Sequence, residues 1–287
     1  MAKFNQKNVS RFGVMVTTLA CAVGLAACGG GSNAYDEYAA AYNKVSANGG
    51  IDADISAQVT MDGETNNYTG NFKVDNGSNT IYYEMSADGE TTTQFSDGEY
   101  LYTERGDTKT KYSLGGDQPS GAPSSQGDGQ QPNKEAPEFD TSNFLNEFAG
   151  FLDAGKIKEL GLLEPIAKAA VSETTKSGDT YTLKVSDAIV QKFINTMAVD
   201  EAGTDDTVQI SDMTNFNYKA TESNGVIVST SYSGDMTVNV PGSLMSDGND
   251  EEYSLSFAID VDFNNPGDAV SVTIPDDADS YTEVSGF

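Results

Sequence analysis

Two long stretches near the end of the chain alternate apolar and polar side chains at every second residue. The even positions from Val226 to Val240 carry most of the apolar side chains of the first stretch, and the odd positions from Tyr253 to Phe263 carry those of the second. Successive side chains of a β-strand point to opposite faces, so this alternation gives each strand one apolar and one polar face. Residues 224–263 therefore predict a pair of long strands that must bury one face.

The same alternation recurs earlier in the chain, in shorter segments that are separated by turn dipeptides. Apolar residues fall at odd positions from Ile51 to Met61 and at even positions from Tyr68 to Val74. Asn-Gly and Asp-Gly dipeptides follow several of these segments, and both of their residues accept the positive φ that tight hairpins require. The pattern predicts six antiparallel strands in sequence order and about a dozen strands in all. Val270, Val272 and Ile274 are expected to close the sheet.

Helical spacing of apolar residues appears in three places. Residues 34–47 carry a tyrosine stripe that includes Tyr35, Tyr38 and Tyr42, residues 144–152 carry leucines and phenylalanines, and a third helix is predicted to begin near Ser186. An aromatic stripe of this kind serves core packing more often than ligand binding. Long one-sided strands twist and curl rather than stay flat. We therefore predict an α+β fold in which a large curved antiparallel sheet, an unclosed β-barrel, wraps around a few helices.

The N-terminus has the features of an export signal. Three basic residues precede an apolar run over 12–27 that is short for a membrane span and ends in small residues. Its ending, Leu25-Ala26-Ala27-Cys28, resembles the lipobox of bacterial lipoproteins. The resemblance implies a diacylglyceryl group on the Cys28 thiol and cleavage before that residue. The alternative is an ordinary signal peptide with an incidental cysteine.

These features predict the domain organisation and the location. Residues 1–27 are expected to be a signal peptide, 28–34 a flexible tether and 35–287 a single domain. Residues 115–140 hold four of the eight prolines and are predicted to be a disordered insertion, either a long surface loop, which we favour, or an interdomain linker. Two acyl chains suffice for stable anchoring. We expect attachment to the outer face of the cytoplasmic membrane of a Gram-positive cell, with a Gram-negative envelope as the alternative.

The order of elements looks like the LolA-like lipoprotein carrier superfamily, which includes the LppX and LprG type cell-envelope lipoproteins. The stretches most similar to such lipoproteins are Asp97-Gly98-Glu99-Tyr100-Leu101-Tyr102 and Val270-Ser271-Val272-Thr273-Ile274-Pro275-Asp276-Asp277. The resemblance spans about residues 35–285. It implies an unclosed β-barrel around helices, with an apolar cavity that holds an acyl chain in some members. It supplies no ligand-binding motif for individual residues, and the proline-rich insertion departs from the compact carriers.

Composition excludes several functional classes. The formal net charge of −28 repels nucleic acid. Without histidine, and with Cys21 inside the predicted signal peptide, the chain offers no His-dependent triad, no His metal site and no Cys/His pair. The acidic stretches, including residues 247–252, do not match a calcium loop. We therefore expect a protein that is not an enzyme and that uses neither a cofactor nor a metal.

Two functions remain open at this point. In the first, the sheet and helices enclose an apolar pocket for a lipid or another hydrophobic molecule. Its predicted lining residues are Phe148, Phe193, Met197, Phe257 and Ile259. In the second, these side chains are ordinary core, and the protein is a surface interaction or sensing module that binds a protein or glycan partner. The oligomeric state is not predicted.

Overall fold

The computed structural model describes residues 33–61, 63–75, 77–78, 80–87, 90–113, 165–166, 168–192, 195, 209–242 and 249–284. Several predictions fall on residues outside these ranges. They concern the signal peptide, the lipid attachment at Cys28, the proline-rich insertion and the side chains of Phe148, Phe193 and Met197. All of them stay predictions.

The described residues form one large sheet and few helices. The elements are α1 (Asn33–Tyr42), β1 (Gly50–Met61), β2 (Glu64–Asp75), β3 (Thr80–Ala87), β4 (Glu90–Ser96), β5 (Tyr100–Arg105), β6 (Thr108–Ser113), β7 (Val171–Ser177), β8 (Thr180–Val185), β9 (Gln209–Ser223), β10 (Val226–Val240), β11 (Glu251–Phe263) and β12 (Thr282–Glu283). Residues 187–192 are also helical. Short 3₁₀ turns lie at Lys168–Ala170 and Ala278–Ser280.

The strand order shows an open sheet. Twelve strands pair in the order β12-β6-β5-β4-β3-β2-β1-β11-β10-β9-β8-β7, so β12 and β7 are its two edges. Every pair is antiparallel except β12 with β6. The predicted six-strand meander is confirmed in β1–β6. Because β1 pairs with β11, strands from before and after residues 115–140 join in the same sheet.

One face of the sheet, which we call the inner face, carries the main hydrophobic core. The odd positions of β1 are buried there, as the alternation predicts. So are Tyr68, Phe72 and Val74 of β2 and the odd positions of β11 from 253 to 261. Val59 and Ile259 are fully shielded from solvent. The opposite face, the outer face, carries polar residues such as Asp54, Gln58 and Asp260. Parity therefore sets the face toward which each side chain points.

Strand β10 departs from the predicted parity at its start. The sequence pattern places Val228 on the apolar face, but the structure buries Ile227 and leaves Val228 half-buried. The β9–β10 register shifts between Ile227 and Ser229, which is a β-bulge with Val228 as the extra residue. One extra residue exchanges the two faces of a strand. From Thr230 onward the predicted even positions are buried.

Helix α1 begins earlier and ends earlier than predicted. Asn33, one residue before the predicted start, is helical, and the helix ends at Tyr42 rather than near residue 47. Tighter turns follow, in which the Val45 N–H donates to the carbonyl of Tyr42 at 2.9 Å. These turns bring Val45 into the core before β1 begins. The prediction missed this because Val45 also continues the helical spacing.

The predicted closing strand over residues 270–274 is wrong. These residues are not in a strand. The C-terminal segment, which we define as residues 264–284, instead packs against the outer face. Val270 packs against Gly50, where a Cβ would lie 2.7 Å from the Val270 Cβ. Tyr281 then meets Phe95 and Tyr102 edge-on, with ring centroids 5.7 and 5.5 Å away. These rings form a second apolar cluster, and Ile274 packs against it without pairing in the sheet.

Candidate functional site

Strand pairing arranges the apolar residues of the inner face in continuous rows. One row crosses five strands through Tyr218, Tyr232, Ile259, Ala57 and Tyr68. Each of these side chains is at most 5% exposed. The inner face therefore carries an unbroken row of buried apolar side chains from β9 to β2.

A second row crosses the same central strands nearer to one of their ends and is rich in methionine. It runs through Met213, Met236, Leu255 and Met61, on β9, β10, β11 and β1. All four side chains are at most 7% exposed. Methionine is unbranched and polarisable, so it adapts to partners of different shape. We call these four residues the methionine row.

Phe257 lies between the two rows and depends on a glycine. It is paired with Gly234 on β10 and with Val59 on β1. A Cβ at Gly234 would lie 3.1 Å from the Cζ atom of Phe257, so only glycine leaves this ring its full space. Phe257 and Ile259 are thus neighbours on the inner face of β11.

Helix α1 is fixed to the inner face by tyrosine side chains. The hydroxyl groups of Tyr38 and Tyr218 are 2.9 Å apart, and the N–H of Ile166 donates to the Tyr38 hydroxyl at 3.2 Å. Tyr35 donates to the carbonyl of Ile166 at 2.6 Å, and the rings of Tyr42 and Phe263 meet edge-on. The tyrosine stripe of α1 is therefore core packing, as the sequence favoured.

The buried phenols are neutral hydrogen-bonding groups. Burial raises the pKa of Tyr38 and of Tyr218 well above the usual value of 10.0. At the edge of the sheet, Lys176 contacts the Tyr181 hydroxyl at 2.7 Å and the Glu222 carboxylate at 3.1 Å. Hydrogen bonds from Tyr181 and Lys176 lower the pKa of Glu222. These groups tie strands and helix together at neutral pH.

The described helical residues cover only part of the inner face. Contacts of α1 include those with β7 and β10. Asp187, Gln191 and Asn195 are hydrogen-bonded to β9. Asn195 exchanges two hydrogen bonds of 2.7 Å with the backbone of Ile210. The apolar rows continue beyond these strands onto β11, β1 and β2. The prediction that helices lie against that part of the sheet is not tested by the described residues.

On β4 and β5 the inner face carries polar residues instead of apolar ones. Tyr83, Gln94, Thr103 and Thr110 are paired across β3, β4, β5 and β6, so their side chains share one face. Tyr83 belongs to the main core cluster, which places this row on the inner face. Gln94 is 1% exposed and Thr103 is 6% exposed. A polar row is thus buried on the same surface as the apolar rows.

The outer face has a shallow polar groove over β9, β10, β11 and β1. Its volume is about 420 Å³, and its lining includes Thr60, Asp212, Asp235 and Ser256. Hydrogen bonds from Ser256 at 2.7 Å and Asn215 at 2.8 Å lower the pKa of Asp235. Within the described ranges, no group of three or more His, Cys, Asp or Glu residues is placed to hold a metal ion.

The predicted lining residues are only partly placed. Phe257 and Ile259 lie side by side on the inner face, and their contact with a ligand stays a prediction. Phe148, Phe193 and Met197 lie outside the described residues. Sequence reasoning missed the methionine row and the row through Gln94 and Thr103, because both arise from strand register. None of the helices in the described part of the chain is both long and apolar enough to cross a bilayer.

Comparisons with known proteins find similar folds among solved structures. No family model matches the sequence, and no curated protein matches it. A solved LolA superfamily protein from Nitrosomonas europaea is similar in structure, with 9% sequence identity and a TM-score of 0.24. The alignment covers 82% of this chain and 92% of that chain. The strand order itself establishes the open antiparallel architecture.

Proposed function

We propose that this protein binds a lipid or another hydrophobic molecule against the inner face of its open sheet and performs no chemistry on it. The methionine row is the observation that carries this proposal. Three methionines and Leu255 lie side by side on four strands, next to Phe257, and form a flexible apolar surface. Such a surface accommodates acyl chains of differing length better than a rigid core does.

The wider inner face supports the same proposal. Apolar rows extend over β11, β1 and β2. The described contacts of α1 are with β7, β10 and β11, and those of Asp187, Gln191 and Asn195 are with β9. A bound chain would lie along the rows through Ile259 and Phe257. Ligand pockets are mostly apolar with few polar groups, and this face has that composition.

The test begins with full-length protein that carries Cys28→Ser and is purified without detergent. Native mass spectrometry is expected to detect a copurified acyl-bearing molecule, and N-phenyl-1-naphthylamine is expected to bind with enhanced fluorescence. Met236→Gln keeps the length of the side chain but adds an amide, so it should weaken probe binding about tenfold. Met236→Leu, which conserves volume, should leave probe binding intact.

The opposite result would favour the alternative function. A folded protein that is uniformly free of ligand and does not bind the probe would have a completely packed core. The acidic exterior would then be the surface that meets a protein or glycan partner. Thermal unfolding of each variant, measured in parallel, separates lost binding from lost folding.

We further propose that a diacylglyceryl group on Cys28 anchors the protein to the outer face of the cytoplasmic membrane. The Leu25-Ala26-Ala27-Cys28 sequence after a short apolar run supports this. Globomycin should block processing of the precursor, and the Cys28→Ser protein should be shed into the medium. Cys28→Ser protein that still fractionates with membranes would contradict the anchor.

A further inference from the structure

The polar row on the inner face contains a buried amide that is incompletely hydrogen-bonded. Gln94 donates from Nε2 to the hydroxyl of Thr103 at 3.3 Å, which is a long hydrogen bond. Its amide oxygen and its second N–H have no partner among the described residues. Exchanging the amide nitrogen and oxygen would let the Thr103 hydroxyl donate to the amide oxygen, and both amide N–H groups would then lack a partner. A side chain that is 1% exposed normally has these groups satisfied.

The hydroxyl group of Thr103 is also incompletely hydrogen-bonded. Its oxygen accepts from Gln94, and its own hydroxyl proton has no acceptor within the described ranges. The buried Thr80 hydroxyl differs, because it bonds to the Ser78 hydroxyl at 2.6 Å and Ser78 itself donates to Asp75. With Nε2 directed toward Thr103, the pair therefore offers one free acceptor and two free donors at adjacent positions.

This pair lies in line with the apolar surface. The same cross-strand row runs from Phe263 through Ala53, Phe72 and Tyr83 to Gln94 and Thr103. Its first four residues belong to or pack against the main hydrophobic core, and its last two are polar and uncharged. The row is thus apolar along most of its length and has hydrogen-bonding groups at one end, as a lipid does.

We propose that Gln94 and Thr103 form a subsite for the uncharged head of an acyl-bearing lipid, such as a glycerol ester. The Gln94 amide oxygen accepts from a hydroxyl of the head, and the Thr103 hydroxyl donates to its ester carbonyl. The acyl chain lies over Tyr83, Phe72 and Ala53 toward β11. This subsite rests on the proposed function and adds a ligand class to it.

The test compares two competitors that share a sixteen-carbon chain. Monopalmitoylglycerol and hexadecane are each used to displace N-phenyl-1-naphthylamine from the Cys28→Ser protein. Gln94→Met preserves side-chain length and removes the amide, and Thr103→Val preserves shape and removes the hydroxyl. Gln58→Met is the matched control, because Gln58 is exposed on the outer face of β1, where its amide contacts Asn67.

The Cys28→Ser protein with Gln94 and Thr103 intact should bind monopalmitoylglycerol more tightly than hexadecane. Gln94→Met should weaken the binding of monopalmitoylglycerol about tenfold, because its head loses hydrogen bonds. The binding of hexadecane, which has no such head, should not change. Thr103→Val should also weaken the binding of monopalmitoylglycerol and not that of hexadecane. If Gln94→Met does not fold, the Thr103→Val result alone tests the subsite. Gln58→Met should change neither competitor.

Two results would overturn the subsite and separate it from the proposed function. If the naphthylamine probe and hexadecane bind but both variants leave monopalmitoylglycerol unchanged, the amide is satisfied by ordered water and only the subsite is wrong. Equal weakening of both competitors likewise means a general packing effect. If the probe does not bind the unaltered protein at all, the hydrophobic-ligand function itself is wrong, and the subsite fails with it.

Discussion

Removing the hydroxyl of Tyr38 should loosen helix α1 from the sheet. Tyr38 is fully buried, and its oxygen joins the Tyr218 hydroxyl at 2.9 Å and the N–H of Ile166 at 3.2 Å. Tyr38→Phe leaves both groups buried without this partner, and each such loss costs about 1–3 kcal/mol. We therefore expect the free energy of unfolding to fall by about 3 kcal/mol.

Tyr218→Phe provides the second arm of a double-mutant cycle. It removes one of the two contacts, and Tyr38 still accepts from Ile166, so the expected loss is about 1 kcal/mol. In the double variant, only the Ile166 N–H is left unpaired. The double loss should therefore be about 1–2 kcal/mol smaller than the sum of the single losses.

Urea unfolding followed by circular dichroism measures all three variants. Tyr100→Phe is the control, because the Tyr100 hydroxyl makes no hydrogen bond to the described residues, and its effect should stay within about 0.5 kcal/mol. Strictly additive losses, or a Tyr38→Phe loss no greater than that of Tyr218→Phe, would refute the shared hydroxyl contact.

Three further predictions follow from buried tyrosines and close backbone contacts. Burial raises the pKa of Tyr38 and Tyr218 above the usual 10.0, so the unfolded chain loses these protons first, and stability that is full below pH 10 should decline above it. Tyr38→Phe should flatten that decline in alkaline urea titrations. Gly70→Ala should lower the free energy of unfolding by at least about 2 kcal/mol, because its Cβ would lie 2.2 Å from the Glu84 carbonyl oxygen. Thr69→Ala, at an exposed neighbouring position, should be nearly neutral when both variants are measured by calorimetry. Tyr281→Ala should cost about 3 kcal/mol by removing a ring that is 3% exposed beside Phe95 and Tyr102, and unchanged unfolding would mean that the C-terminal segment is not packed there.

Local geometry determined much of the sheet before any tertiary structure was considered. Alternation at every second residue depends only on the direction of successive side chains, so it placed Phe257 and Ile259 on the buried face of β11. Glycine at the hairpin turns is also a local requirement, and Gly63, Gly98 and Gly178 adopt positive φ as expected. The ligand contacts of these buried residues depend on more than parity.

Features that join distant parts of the chain were decided only by the tertiary structure. The pairing of β1 with β11, the bulge at Val228 and the C-terminal segment on the outer face each reflect competition among alternative partners. Gln94 and Thr103 look like ordinary outward-facing residues in the sequence, because a short polar strand does not reveal which of its faces is buried. Strand register placed them beside Tyr83, since hydrogen bonding between neighbouring strands fixes which residues meet across a sheet.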